Sequence, residues 1–164
     1  MHGSTLFPLT ILRQKYPALY RREVKKYLGR EKVMGRMIPL LHCKWNAAIH
    51  LSIVHPALIT RALERAGLRK KEKWEWFKID TQKLDPKKGV IFLYREKKGK
   101  WNFPENYFPL SDKKLEQERK LPSKARAYYQ KEIEMGRRPL FFHLIPHVLY
   151  RGSISVKDTE IIET

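Results

Sequence analysis

The pattern of apolar and polar residues predicts helices in the first part of the chain. Between Pro17 and Gly29 the apolar residues recur at helical spacing, with proline in the first turn and glycine at the end. The stretch between Pro56 and Gly67 shows the same pattern. Both stretches predict amphipathic helices, and a shorter helical stretch is predicted near Pro8.

Runs of β-branched and aromatic residues predict strands between and after these helices. The segments 73–80, 89–96 and 100–108 are rich in such residues, and turn signals separate them. The segment 47–51 is predicted to be a buried strand, because four of its five residues are apolar and the fifth is histidine.

The last third of the chain returns to helices and then to strands. Ser111 and Ser123 are predicted to cap two helices, the second ending at Gly136. Short strands are predicted at 140–145, 147–150 and 153–156. The chain as a whole predicts one basic α+β domain over residues 1–164, with basic N-terminal helices and a mostly antiparallel sheet.

The longest apolar run, from Arg137 to Gly152, carries two histidines on either side of a proline. His143 and His147 are four residues apart, a spacing that would bring two metal ligands together on a helix. Pro146 and the aromatic composition instead predict two strands bent at the proline. Four residues extend about 13 Å along a strand. The prediction is therefore that these two histidines share no metal.

The charge of the chain is strongly positive, with 35 Lys and Arg against 17 Asp and Glu and a formal net charge of +18. Such an excess favours a polyanionic partner, with nucleic acid first because each neutralised phosphate releases a counterion. A lysine- and arginine-rich surface without a partner is the alternative. No membrane partner is expected, since no apolar run approaches the roughly 20 residues that span a bilayer. Without a signal peptide at the N-terminus, the expected location is cytoplasmic.

Two basic patches are the predicted nucleic-acid contacts. The first consists of Arg21, Arg22, Lys25 and Lys26, and the second of Arg69, Lys70, Lys71 and Lys73 beside Trp74. Aromatic residues are interleaved with both patches, and an exposed ring can stack on an unpaired base. The alternative is that the aromatic residues belong to the core and that only the cations are exposed. It is favoured for Tyr20 and Tyr27, which lie on the apolar stripe of their helix, and stays open for Trp74 and Trp76. The common DNA- and RNA-binding sequence signatures are absent.

Other catalytic motifs give little support to an enzyme class. Cys43 is the only cysteine and is predicted to be a small buried residue. Ser52 lacks the glycines of a nucleophile elbow, and phosphate-binding glycine loops are absent. No metal site is predicted, because no cluster of histidines and carboxylates is evident in the sequence.

Three short segments resemble the ADP-ribosyltransferase superfamily. "HGST" at His2–Thr5 is similar to the segment that begins the first strand of that fold and contacts the nicotinamide-side ribose of NAD. "IHLS" at Ile49–Ser52, followed by a helix that starts with proline, resembles its second strand-and-helix unit. "HVLYRGSISVKDTEII", which starts at His147, is similar to its late strand, glycine turn and closing strand.

The resemblance implies a split antiparallel sheet with NAD in its cleft. It implies His2 as a ribose contact, Ser52 as a lesser contact, and His147 and Arg151 at the place of the late-strand catalytic group. Most members have a glutamate where this chain has His147, and the nearest later carboxylate is Glu160. The departure weighs against ordinary mono-ADP-ribosyl transfer. It leaves the RNA 2′-phosphotransferase branch, which removes a phosphate with NAD and depends on basic and histidine residues.

Two hypotheses follow. In the first, the protein is an NAD-dependent transferase acting on nucleic acid, and a cleft that includes His50 and His55 holds the cofactor or the reacting phosphate. In the second, it is a non-enzymatic nucleic-acid-binding or ribonucleoprotein accessory protein with structural histidines. A metal-dependent nuclease ranks last. Convergence of His2, His50, His55 and His147 on one cleft would favour the enzyme.

Overall fold

The structure is a computed structural model, and it describes residues 3–68, 73–95 and 103–164. The α+β prediction is confirmed: helices and antiparallel strands share the chain. Of the predicted site residues, His2, Arg69, Lys70 and Lys71 lie outside the described residues. The predicted turn that ends at Lys100 also lies mostly outside them.

The described part of the chain contains five α-helices and ten strands, joined by loops and short 3-10 helices. The helices are α1 Leu9–Lys15, α2 Pro17–Glu23, α3 Pro56–Arg65, α4 Asp112–Gln117 and α5 Ser123–Glu134. The strands of the first half are β1 Thr5–Leu6, β2 Met37–Ile38, β3 Cys43–Lys44, β4 Ala48–Ser52 and β5 Glu75–Phe77. Those of the second half are β6 Gly89–Phe92, β7 Tyr107–Pro109, β8 His147–Arg151, β9 Ile154–Ser155 and β10 Ile161–Glu163.

A four-stranded antiparallel sheet lies at the centre, in the order β4-β8-β6-β7. Its register pairs Ser52 with His147 and Phe92 with His147 across the two neighbours of β8. Because side chains alternate between the faces of a strand, residues 50, 52, 92 and 147 all lie on one face. The register therefore decides which histidines can meet.

Each face of the sheet has its own hydrophobic core. The face that carries Phe92 and Leu149 packs against α1 and the segment around Trp45. The other face, with Ile91 and Val148, packs against Leu84, Leu115 and Ile154. The N-terminal helical segment therefore covers the face of the sheet that carries Phe92 and Leu149, and packing against that face holds the segment in place.

A third core joins α3 to α5. Ile59 and Leu63 on α3 and Tyr129 on α5 are fully buried, and Ile145 completes the cluster. The Tyr129 hydroxyl donates a hydrogen bond of 2.5 Å to the carbonyl oxygen of Phe141. This contact ties α5 to the chain that enters β8, because the hydroxyl of the fully buried Tyr129 requires a hydrogen-bond partner.

The predicted strand at 140–145 is wrong: this segment is a succession of turns. Leu144 has φ of 61°, in the left-handed region that a bulky residue rarely adopts. The backbone there cannot continue a ladder, so the regular strand begins only at His147. The predicted cap at Ser123 is also wrong, since Ser123 is the first helical residue and Pro122 takes the cap position.

The first predicted strand of the middle region does not join the central sheet. Strand β5 pairs with β10, with Trp76 opposite Ile162. The Trp76 indole N–H donates to the Thr164 side-chain hydroxyl, and the Thr164 backbone bonds Trp74 in both directions. The C-terminal strand thereby fixes both tryptophans against the third core.

Candidate histidine site and basic surface

Two of the predicted site histidines come together in the structure. The ring centroids of His50 on β4 and His147 on β8 are 6.1 Å apart. They are two residues out of register, since Ser52 is the residue directly opposite His147. Diagonal neighbours on one face of a sheet lie within reach of aromatic side chains. Their approach is therefore a consequence of strand pairing.

Aromatic rings surround the two imidazoles, and together they form what we call the histidine–aromatic cluster. It consists of Trp45, His50, Phe92, Tyr94, Tyr128, Phe142, His143 and His147. Trp45 contacts His50 edge-on at 4.7 Å, and Phe142 contacts His147 at 5.7 Å. Phe92, at 1% exposure, contacts both Trp45 and His147. The site is thus largely apolar.

Hydrogen bonds determine the tautomers of the two imidazoles. His50 Nε2 lies 3.1 Å from the Trp45 carbonyl oxygen, and His147 Nδ1 lies 2.7 Å from that of Ile145. A carbonyl oxygen only accepts, so the proton sits on Nε2 of His50 and on Nδ1 of His147. The other nitrogen of each ring is left as an acceptor.

Both imidazoles are neutral at pH 7. The pKa of His50 is lowered to about 4, chiefly by burial; the hydrogen bond to Trp45 opposes this shift and the charge of Lys26 adds to it. Burial also lowers the pKa of His147 to about 3, with His50 contributing to the shift. An imidazole in a desolvated site loses the hydration that stabilises its cation. At pH 7 each imidazole can therefore donate one hydrogen bond and accept another, but neither ring supplies a positive charge.

His143 belongs to the same cluster although its segment is not a strand. Its ring lies between Tyr128, at 4.4 Å, and Tyr94, at 5.1 Å between centroids. The predicted separation of His143 and His147 along one strand face does not apply, because residues 140–145 form turns. Sequence spacing alone could not place this imidazole.

The remaining residues of the predicted catalytic and cofactor site lie apart from the His50–His147 pair or form hydrogen bonds with backbone groups. His55 is exposed and accepts a hydrogen bond from the Ala57 N–H at the start of α3. The Ser52 hydroxyl donates to the Val54 carbonyl oxygen. The Arg151 guanidinium donates to the Leu41 carbonyl oxygen, 3.3 Å away. The structure thus brings together His50 and His147, but not His55.

Metal and thiol chemistry find little support in the described part of the chain. Within it, no three His, Cys, Asp or Glu side chains converge as metal ligands would. Cys43 is buried, and burial raises the pKa of its thiol. A protonated thiol is a poor nucleophile, as expected for a structural cysteine.

The first predicted basic patch lies on a larger surface, the N-terminal basic unit, which we define as residues 9–36. This unit contains nine Lys and Arg residues against two Glu. Arg22 and Lys26 share Glu23 as an ion-pair partner, and Arg30 donates to the Lys26 carbonyl oxygen. Several other cations of the unit are exposed and form no ion pair within the described chain: Arg13, Lys15, Arg21, Lys25 and Lys32.

The first predicted patch left out Arg13, Lys15 and Lys32, although they lie in the same basic stretch of the sequence. The first two lie in the last turn of α1, a helix that was placed only coarsely. In the second predicted patch, Lys73 pairs with Glu163 at 2.8 Å, which offsets its charge. Trp74 is half-buried and contacts Phe141 at 4.6 Å, so that side of the ring is covered.

A cavity of about 320 Å³ lies away from the histidines, on the other side of the central sheet. Leu84, Tyr150 and Ile154 contribute apolar lining. Lysines and aspartates both contribute to its rim, among them Lys157 and Asp158. Neither the histidine–aromatic cluster nor the N-terminal basic unit contributes to this cavity.

Comparisons with known proteins do not identify the chain: no protein-family model, curated protein or solved structure matches it. Within the described residues, no helix has both the length and the apolar character needed to cross a bilayer.

Proposed function

We propose that the protein binds nucleic acid through the N-terminal basic unit. The observation that carries the proposal is the set of exposed, unpaired cations on this unit, in a chain with a net charge of +18. Cations that are not engaged with carboxylates can neutralise phosphates, and the released counterions drive binding. The cores beneath the unit hold these side chains on one rigid support.

Salt dependence tests this proposal. A fluorescein-labelled 20-base-pair duplex is titrated with protein at 50 and 200 mM salt, with fluorescence anisotropy as the readout. With about four cations on phosphates, the affinity is expected to fall roughly 100-fold between these concentrations. An affinity that is flat over this range would refute binding through phosphates.

Substitution of the unpaired cations localises the binding surface. The variant Arg13→Gln, Arg21→Gln, Lys25→Gln, Lys32→Gln is expected to bind at least about tenfold more weakly at 50 mM salt, with a shallower salt slope. The matched control replaces four exposed cations on and beside α4 and α5, and so has the same net charge. It carries Lys113→Gln, Lys120→Gln, Lys124→Gln and Arg126→Gln. Equal losses in the two variants would indicate a general charge effect and no particular surface.

The NAD-dependent transferase remains a second proposal, supported by the approach of His50 and His147. Each imidazole uses its N–H on a backbone carbonyl and keeps a nitrogen that can accept a hydrogen bond from a ribose hydroxyl. NAD would supply a reactive ribose carbon for transfer. The positive charge that phosphoryl transfer requires would come from other groups, since both imidazoles are neutral at pH 7.

Calorimetric titration with NAD tests this second proposal. Binding below millimolar NAD is expected, and the His50→Gln variant should weaken it at least fivefold while keeping the donor to Trp45. His42→Gln, a change at an exposed histidine, should leave the affinity unchanged. The transferase proposal fails if the protein takes up no NAD at millimolar concentration.

A further inference from the structure

The aromatic residues of the N-terminal basic unit face the protein interior. Tyr27 is 8% exposed, and its hydroxyl is hydrogen-bonded to the Trp45 side chain. Tyr16 packs on Phe7 with ring centroids 5.3 Å apart, and Tyr20 packs against the same core. The sequence pattern of alternating rings and cations therefore separates in space, with the rings inside and the cations outside.

The cations nearest to Tyr27 also cover its ring. Lys26 lies 5.9 Å and Arg30 5.5 Å from the ring centroid. A base that stacked on this ring would have to displace them and open the core. More generally, every tyrosine and tryptophan in the described part of the chain is buried or half-buried. The basic unit therefore presents no fully exposed aromatic ring as a platform for a base.

What the unit offers to a partner is a set of fixed positive charges. The unpaired cations lie on α1, on α2 and on the turns that follow it, and α1 and α2 pack directly on each other. A lysine or arginine that contacts only phosphates does not select a base. Sequence selection in the major groove would require side chains that reach base edges from an inserted helix or ribbon. Helix α2 has seven residues, and two of them, Arg22 and Glu23, are paired with each other.

We propose that the N-terminal basic unit recognises only the chain of phosphate groups. It therefore binds single- and double-stranded nucleic acid of any sequence, and also a phosphate chain without bases. The inference rests on the proposed nucleic-acid binding and specifies its chemistry. Phosphate-only binding predicts that a base-free polyanion competes with DNA for the same cations. Stacking, by contrast, would favour single strands.

Competition with inorganic polyphosphate tests the inference. The labelled duplex is bound at 50 mM salt and displaced with unlabelled duplex or with polyphosphate of equal charge. Half-displacement is expected at concentrations within about tenfold of each other, and AT-rich and GC-rich duplexes should agree within about threefold. We call the variant Arg13→Gln, Arg21→Gln, Lys25→Gln, Lys32→Gln the four-cation variant. Its affinity for duplex and its affinity for polyphosphate should fall by the same factor.

The outcomes separate the inference from the function beneath it. If no nucleic acid binds, the proposed function fails. If DNA binds but polyphosphate does not displace it, or if the four-cation variant loses affinity for DNA and keeps it for polyphosphate, the inference alone is overturned.

The variant Tyr20→Leu gives a second check, because it removes a ring but no charge. An unchanged duplex and single-strand affinity supports the inference, and a loss of more than tenfold for single strands, with an unchanged circular dichroism spectrum, contradicts it.

Discussion

Lowering the pH from 7.5 to 5.0 is expected to reduce the free energy of unfolding by about 3–4 kcal/mol through His50 and His147 alone. Their pKa values are about 4 and about 3 in the folded protein, against roughly 6.5 for an unfolded histidine. Between pH 6.5 and about 4, the unfolded state therefore binds more protons than the folded state. Stability is fully present above pH 6.5 and is lost as the pH falls below it.

Urea unfolding at pH 7.5 and 5.0 measures this loss. His50→Gln and His147→Asn remove the titrating groups and keep a side-chain N–H near the positions of Nε2 and Nδ1. The double variant should lose about 3–4 kcal/mol less than the wild type over the same pH interval. The variant His42→Gln, at an exposed histidine, should keep the full pH dependence. Because self-repulsion of the +18 chain is common to all of these proteins, it cancels in the comparison. Identical pH dependence in the wild type and the double variant would disprove the assignment.

Replacing Phe92 by alanine is expected to cost about 3–5 kcal/mol of unfolding free energy. The ring is 1% exposed and lies 5.4 Å from Trp45 and 5.0 Å from Tyr107, centroid to centroid. It also borders His147, so its removal leaves a cavity between a sheet face and the imidazole pair.

Chemical denaturation again supplies the measurement. Phe92→Leu keeps most of the volume and should cost less than half as much as Phe92→Ala, which separates cavity formation from loss of the aromatic ring. Phe77→Ala is the matched control, because Phe77 is 37% exposed on β5. Its cost should stay below about 1 kcal/mol. A cost of that size at Phe92 as well would show that the cluster contributes little to stability.

Local signals in the sequence were sufficient for several elements. The helix that begins at Pro56 was placed correctly because its start and its end are both marked in the chain, and Gly67 has φ of 102° just beyond it. Strand β4 was also placed within a residue of its bounds, from its apolar composition. Such features depend on the backbone preferences of a few neighbouring residues.

The other features depend on contacts between distant residues. The segment 140–145 has the composition of a strand but forms a series of turns. The hydrogen bond from the Tyr129 hydroxyl to the Phe141 carbonyl oxygen and the left-handed backbone conformation of Leu144 are incompatible with an extended strand there. The pairing of β5 with β10 and the approach of His50 to His147 are set by register, which composition does not encode locally. Sequence reasoning identified the histidines and most of the cations and assigned Tyr20 and Tyr27 to the apolar stripe of their helix, but it left open whether Trp74 and Trp76 would be covered.

Strand β1 has a consequence for the order in which the protein folds. Thr5 pairs with Ser155, so the first strand of the chain completes its hydrogen bonds only with one of the last. Strands β4 and β5 likewise complete their hydrogen bonds only with β8 and β10, respectively. Closing such long loops is slow, because their entropy is lost before the contacts form. During synthesis, strands β1, β4 and β5 must therefore leave the ribosome without their partner strands, and the apolar side chains of β4 stay partly uncovered until β8 emerges.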